Sequence, residues 1–189
     1  MAKIVLASKS PRRQELLKNI GITEFDIRVP EADESYPEHF TPAQIVEHIS
    51  RQKAIAAAAI CTEEEIVITA DTMVFLDDKR LGKPKDEADA KRMLKTLCGK
   101  THTVLTGVCL IKETGESLVS VTETKVTFNA YNEKVIDRYV ATKSPLDKAG
   151  AYGIQDEALA PLVNKVDGNL DNVIGFPVQT VENMIQSFF

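Results

Sequence analysis

The run IVITADTMVFL, residues 66 to 76, constrains this chain more than any other stretch. Its apolar and β-branched residues, ended by the turn signal Asp77-Asp78, predict a long strand. In the middle stands Asp71. Burying an unpaired carboxylate is costly or forces its pKa upward, so such a residue needs a cation beside it or a proton to move. Alternation could instead turn Asp71 to a wet face, or a bulge could end the strand there. The stretch alone leaves both readings open.

Around that strand the chain alternates strand-like and helical patterns. Lys3 to Ala7 is β-rich, and Ser10-Pro11 gives an N-cap with proline at the first helical position, Leu16, Leu17 and Ile20 forming the apolar stripe up to Gly21. Thr41-Pro42 repeats the start signal for a helix running to about Ala59, with Ile45 and Ile49 on one face, and Glu63 to Glu65 break the pattern. Met93, Leu94 and Leu97 mark a helix over residues 86 to 98, closed by Gly99. Residues 102 to 112 and 118 to 128 read as a hairpin around ETGES. Asn132 to Thr142 is helical, KSPLDKAGAYGIQD reads as a loop, Val163 to Val166 as a strand, and Val178, Val181, Ile185 and Phe188 define a last helix. The expectation is one domain over residues 1 to 189, with a mixed, twisted α/β sheet flanked by helices.

The net charge of -5 argues against nucleic acid or an anionic membrane as a general partner. The apolar run in MAKIVLASKSPRR is too short for a signal peptide, and no later segment is apolar enough to span a bilayer, so a cytoplasmic protein is expected. Cys61, Cys98 and Cys109 form no CxxC pair and are read as reduced core residues. His39, His48 and His102 show no zinc-ligand spacing.

A local basic cluster in an acidic chain points to a small anion. In LASKSPRRQELL, residues 6 to 17, Arg12 and Arg13 occupy a helix start whose dipole is already positive, which costs stability unless an anion binds. Ser8, Ser10, both arginines and the free helix amides could face one phosphate chain; the alternative is a solvated basic turn. Lys53 comes close to the buried stripe of the second helix, where a snorkelling lysine is the commoner explanation, and Lys83 in LGKP is a cation soon after the Asp71 strand. Glu31 and Glu34 in PEADES could add carboxylates for a hard cation, although most such acids are only solvated. Phosphates, a divalent cation and a carboxylate form the common theme, the equipment of metal-assisted phosphoanhydride chemistry.

The chain resembles the Maf family of nucleoside triphosphate pyrophosphatases in LASKSPRRQELL, ITADTMV, LGKP, HTVLTGV, DKAGAYGIQ and NVIGFP, taken in that order. The resemblance implies a two-lobed α/β fold similar to inosine triphosphate pyrophosphatases, with a nucleotide cleft between the lobes. It implies hydrolysis between the α and β phosphates, giving a nucleoside monophosphate and pyrophosphate. By motif, Asp71 would be the general base, Ser8, Ser10, Arg12, Arg13, Lys53 and Lys83 would hold phosphates, and Glu31 with Asp71 would bind Mg²⁺, with Mn²⁺ as the alternative. Arg12, Thr72 and Gln155 match the positions that mark the dTTP/UTP branch. A carboxamide can donate to O4 and accept from N3–H of uracil or thymine, and cytosine reverses both partners. The family also suggests a homodimer, and its link to septum formation supplies the rival reading, a nucleotide-binding regulator of division with little turnover.

Three departures stand out: Asp156 where glycine usually follows the glutamine, GNLDN for the commoner GSYxN, and GFP for GLP. The extra charge of Asp156 beside Gln155 is expected to disturb the specificity loop or weaken triphosphate binding.

Overall fold

The computed structural model describes residues 3–62 and 64–188; the expected break at Glu63 lies outside them. The chain divides into two compact units. One comprises the residues up to Asp71, Thr106–Thr122 and the residues from Gly175 on; the other comprises Thr72–Leu105 and Glu123–Ile174.

In the first unit, strand β1 (Lys3–Leu6) leads into helix α1 (Pro11–Asn19), short strand β2 (Asp26–Ile27), helix α2 (Pro42–Ala58) and the first part of strand β3 (Glu65–Leu76). β1 pairs parallel with β2 on one side and with β3 on the other. The chain therefore leaves β1 in one direction and later returns to its opposite edge, which places a topological switch point at the carboxyl end of β1. α2 starts where the sequence placed it, because Thr41 and Gln44 form a reciprocal capping box and Pro42 needs no N–H partner there. Its inner face, with Ile45, Val46 and Ile49 buried, packs on the sheet.

The register of α2 on the sheet is tight. A Cβ added at Gly107, on strand β5 (Thr101–Lys112), would lie 2.8 Å from the Val46 carbonyl oxygen and 2.9 Å from Ser50 Oγ. Only glycine permits this approach. Thr69 Oγ1 on β3 donates to the Ser50 carbonyl at 2.9 Å, pinning the middle of α2 two residues before Asp71.

In the second unit, β3 turns through the left-handed pair Asp77 and Asp78 into strand β4 (Lys79–Leu81). Two successive positive φ values give the tight hairpin that follows a twisted strand, and aspartate is among the few residues that adopt them readily. Helix α3 (Glu87–Leu97) is capped by Asp86, and helix α4 (Glu133–Ala141) by Asn132. Both present buried stripes, including Met93, Leu94, Leu97, Ile136, Tyr139 and Val140, to the core residues Val74, Val104, Val126 and Phe128. Strand β6 (Ser117–Phe128) follows β5 through a hairpin, and strand β7 (Val163–Asp167) pairs antiparallel with β6. The strand order is β2-β1-β3-β5-β6-β7, with β4 on β3, a mixed seven-stranded sheet.

Several expectations need correction. β2, β4 and the short helix α5 (Leu170–Ile174) were not predicted, being too short to carry a period. The loop expected over KSPLDKAGAYGIQD contains the 3-10 turns Ser144–Asp147 and Ala149–Ala151, and a third, Glu157–Leu162, follows it. Ile20 is only half-buried. Cys109 lies in the core, and burial raises its thiol to about 11, but Cys61 and Cys98 are half-buried; all three are free. Helix α6 (Val178–Phe188) closes the chain as expected. No helix among the described residues is long and apolar enough to cross a membrane.

The parallel strands are tied by Arg28, which donates to both Glu65 oxygens at 2.7 Å and to Asp26 at 2.9 Å. Hydrogen bonding from Arg28, supported by the Thr62 amide, lowers Glu65 from 4.5 to about 2. A carboxylate depressed in the folded state contributes stability above its unfolded pKa and loses it as pH falls through the folded one. Stability should therefore fall between pH 4.5 and about 2. Glu65→Gln should flatten that part of a urea-unfolding series against pH; an unchanged slope would remove Glu65 from the acid response.

Candidate active site

β3 is buried on both faces, so alternation gives Asp71 no wet side; the residue is 9% exposed. β1 pairs with Glu65 to Ile68 and β4 with Val74 to Leu76, and Asp71 lies on the part of β3 that neither reaches. Lys53 Nζ, about one turn beyond Ser50 on α2, donates to Asp71 Oδ1 and lies 3.0 Å from Glu34 Oε1. The other carboxylate oxygen, Asp71 Oδ2, is buried without a hydrogen-bond partner among the described residues. Leaving it so costs roughly 1–3 kcal/mol, a cost that a ligand, water or cation could relieve. Lys53 is thus a paired ammonium and not merely a snorkelling one.

The opening stretch occupies the switch point. β1 ends at Leu6, Ser8 is buried, and α1 begins at Pro11. Ser10 stands at the N-cap, but its hydroxyl makes no capping bond, so the first amides of α1 have no side-chain cap. Ser8 Oγ accepts from the Ser10 amide at 3.3 Å and from Arg13 Nη1 at 3.2 Å. Arg13 Nε donates to the Gly175 carbonyl at 2.8 Å. Desolvation lowers the Arg13 pKa, the charge of Asp71 opposes this, and Arg12 adds to it. Arg12 makes no hydrogen bond to the described residues, and its Nε is buried. The two arginines therefore differ: Arg13 is a tether between α1 and the turn before α6, whereas Arg12 keeps its donors for something else.

Glu31 is exposed and forms no salt bridge with Lys53; Glu34, three residues on, does. Both acids are candidates in the sequence, and the family resemblance assigns the metal to Glu31; the irregular segment before α2 carries no period to say which acid turns inward. In the second unit, Thr72 is half-buried on β3, and Lys83 and Gln155 are exposed. The Asp156 carboxylate beside Gln155 is taken up within the loop, since Tyr139 Oη and Ser144 Oγ donate to its Oδ2 at 2.6 and 2.8 Å. His102 is buried and neutral, with Nε2 2.6 Å from Tyr152 Oη, and burial lowers it to about 4. A cavity of about 620 Å³ on the first unit, lined by Arg51, Ile55, Ala58, Cys61, Ile111 and Lys112 among others, includes none of the candidate residues.

No group of three or more His, Cys, Asp or Glu that could hold a metal occurs among the described residues. The two carboxylates Asp71 and Glu34, both at the Lys53 ammonium, nevertheless fit Mg²⁺, which keeps several waters and commonly takes one or two protein carboxylates plus substrate phosphates. The buried, unpartnered Asp71 Oδ2 is the available donor.

At the level of class, this is an α/β protein whose switch point gathers cations, free helix amides and a buried carboxylate, the place where open α/β sheets bind their ligands. A family model described as Maf-like protein matches residues 3–188, and the chain belongs to that family. It is 46% identical to the dTTP/UTP pyrophosphatase of Bacillus cytotoxicus over 189 residues, covering all of this chain and 96% of that protein. It is 42% identical to the dTTP/UTP pyrophosphatase of Desulforamulus reducens, covering all of this chain and 97% of that one. Among solved structures, the Ham1 protein of Staphylococcus aureus matches with a TM-score of 0.55 at 14% identity, over 98% of this chain and 97% of that one. That likeness concerns the fold.

The difference between the arginines can be measured. Arg13→Lys cannot reproduce the fork to Gly175 and Ser8 and should lower stability by about 1–2 kcal/mol, whereas Arg12→Lys should change it by less than about 0.5. Equal effects in urea unfolding would contradict the assignment of Arg13 as the tether.

Proposed function

We propose that this protein hydrolyses nucleoside triphosphates, dTTP and UTP foremost, between the α and β phosphates to yield a nucleoside monophosphate and pyrophosphate. The names of its relatives support the reaction and the bases. The structural observation that carries the reading is Asp71, a buried carboxylate held through Oδ1 by Lys53 while Oδ2 has no donor among the described residues. An oxygen so placed can accept the proton of an attacking water, and the ammonium on the other oxygen fixes its direction.

The uncapped amides of α1, the Ser8 and Ser10 hydroxyls and the Arg12 guanidinium supply donors for the phosphate chain. Arg13 holds that turn in place and adds positive charge, and Lys83 supplies a further exposed cation. Asp71 and Glu34 would hold Mg²⁺, which neutralises phosphate charge as it develops. Gln155, exposed and without a side-chain hydrogen bond among the described residues, is free to read a base. Its carboxamide complements O4 and N3–H of uracil and thymine, while cytosine would leave both partners unpaired. Thr72 directly follows the general base on β3, where the family pattern places a specificity residue.

The decisive experiment is a panel of nucleoside triphosphates with Mg²⁺, scored separately for pyrophosphate and orthophosphate. Pyrophosphate from dTTP and UTP, with little from CTP or purines, is expected. Tight nucleotide binding with no turnover would replace this reading by that of a regulator. Within the panel, Asp71→Asn should lower kcat by about 10²–10⁴ with substrate affinity largely kept, because it removes the base and preserves the shape. An undiminished kcat would refute Asp71 as base.

A further inference from the structure

The segment between α4 and β7 has no long helix or strand to hold it. It is made of short 3-10 turns, with left-handed backbone at Lys143, Gly150 and Ala151. A chain of this kind has few backbone ladder bonds, so side chains must fix it. The side chains converge on one atom. Asp156 Oδ2 accepts from Tyr139 Oη at 2.6 Å and from Ser144 Oγ at 2.8 Å. Tyr139 comes from the buried face of α4, and its hydroxyl also accepts from the Gly153 amide at 2.9 Å. Lys148 Nζ donates to Ser144 Oγ at 2.9 Å, to the Ser144 carbonyl at 2.7 Å and to Asp147 Oδ1 at 3.0 Å.

The backbone closes around the same carboxylate. The Asp156 amide donates to the Gly153 carbonyl at 3.0 Å, and the Leu159 amide to the Asp156 carbonyl at 2.9 Å. There is no slack, since a Cβ at Gly153 would lie 2.9 Å from Asp156 Oδ2 and 2.8 Å from Lys148 Cε. The Gly150 amide donates to the Gly82 carbonyl at 3.0 Å, which ties the segment to the turn bearing Lys83. Gln155 lies inside this frame, one residue before the anchor, with its own side chain exposed.

We propose that Asp156 is a positioning residue for Gln155: its carboxylate, taken up by Tyr139 and Ser144, fixes the backbone from which the carboxamide reaches the base. The proposal rests on the reading of Gln155 as the base reader. Hydroxyl bonds to a carboxylate are the strong, charge-assisted kind, so the charge is used within the loop and is not directed at a triphosphate. Discrimination needs that rigidity. A glutamine on a loose loop can retreat from a mismatched base into water, and the penalty that rejects cytosine disappears; on a fixed loop the unpaired groups remain in place.

The test compares Asp156→Asn, Tyr139→Phe and Gln155→Ala with the unaltered protein. One readout is the ratio of kcat/KM for UTP to that for CTP, which a simple loss of folded enzyme does not move. The other is amide hydrogen exchange at Gly153 and Leu159, which needs no substrate. Asp156→Asn and Tyr139→Phe should each lower the ratio by about 10-fold, as Gln155→Ala does, and raise exchange at both amides by about 10-fold or more. If Gln155→Ala lowers the ratio while Asp156→Asn leaves it intact, the proposal is overturned, whatever the exchange shows. If Gln155→Ala leaves the ratio unchanged, the base-reading role fails separately, and exchange then decides whether Asp156 fixes the loop: lost protection upholds the anchor, retained protection rejects it.

Discussion

Asp71 gives up most of its water on β3 and takes the ammonium of Lys53 as a partner in exchange. The energetics of such a pair explain much of the first unit. A buried ion pair contributes little net stability compared with well-packed apolar residues, because desolvation of both charges offsets their attraction, yet removing one partner leaves a costly lone charge. A folding requirement alone would be met as well by valine and leucine. The pair is better understood as a buried carboxylate with one oxygen held by Lys53 and the other without a partner among the described residues.

Holding that pair demands accurate placement of a helix against a strand with which it shares no backbone ladder. Three features supply it. The capping box at Thr41 fixes where α2 begins, the Thr69 hydroxyl ties the Ser50 carbonyl to β3, and Gly107 lets the helix approach β5 closely. Lys53 follows by helical geometry. The same logic governs the switch point: Arg13, with its fork on Gly175 and Ser8, holds the start of α1, while Arg12 Nε is buried without a hydrogen-bond partner among the described residues. A positive pair against a positive helix end is thereby divided into a structural member and one able to meet an anion.

The second unit solves a different problem by related means. Its loop from Lys143 to Leu162 lacks long regular structure and is held by a buried tyrosine, a carboxylate, a hydroxyl and an ammonium in series. Each unit thus holds a carboxylate with side-chain partners, Lys53 for Asp71 and both Tyr139 and Ser144 for Asp156. The distinction lies in satisfaction: Asp156 Oδ2 accepts two hydroxyl protons, while Asp71 Oδ2 accepts none from the described residues.

The long elements were legible in the sequence because their period and their caps are local properties: α2, α3, α4, α6 and strands β3, β5 and β6 fell close to the expected residues. Asp71, Arg12, Arg13 and Lys53 stood out for the same reason, as charges placed against the local grain of apolar strand or positive helix end. β2, β4 and α5 did not, since elements of two to five residues carry too little pattern. Only the tertiary structure placed Glu34 at the Lys53 ammonium, gave Arg13 its bonds to Gly175 and Ser8, and brought Tyr139 and Ser144 to the Asp156 carboxylate. Each of those outcomes depends on which donor lies within about 3 Å of a given oxygen, and that distance is set by residues far away in the chain.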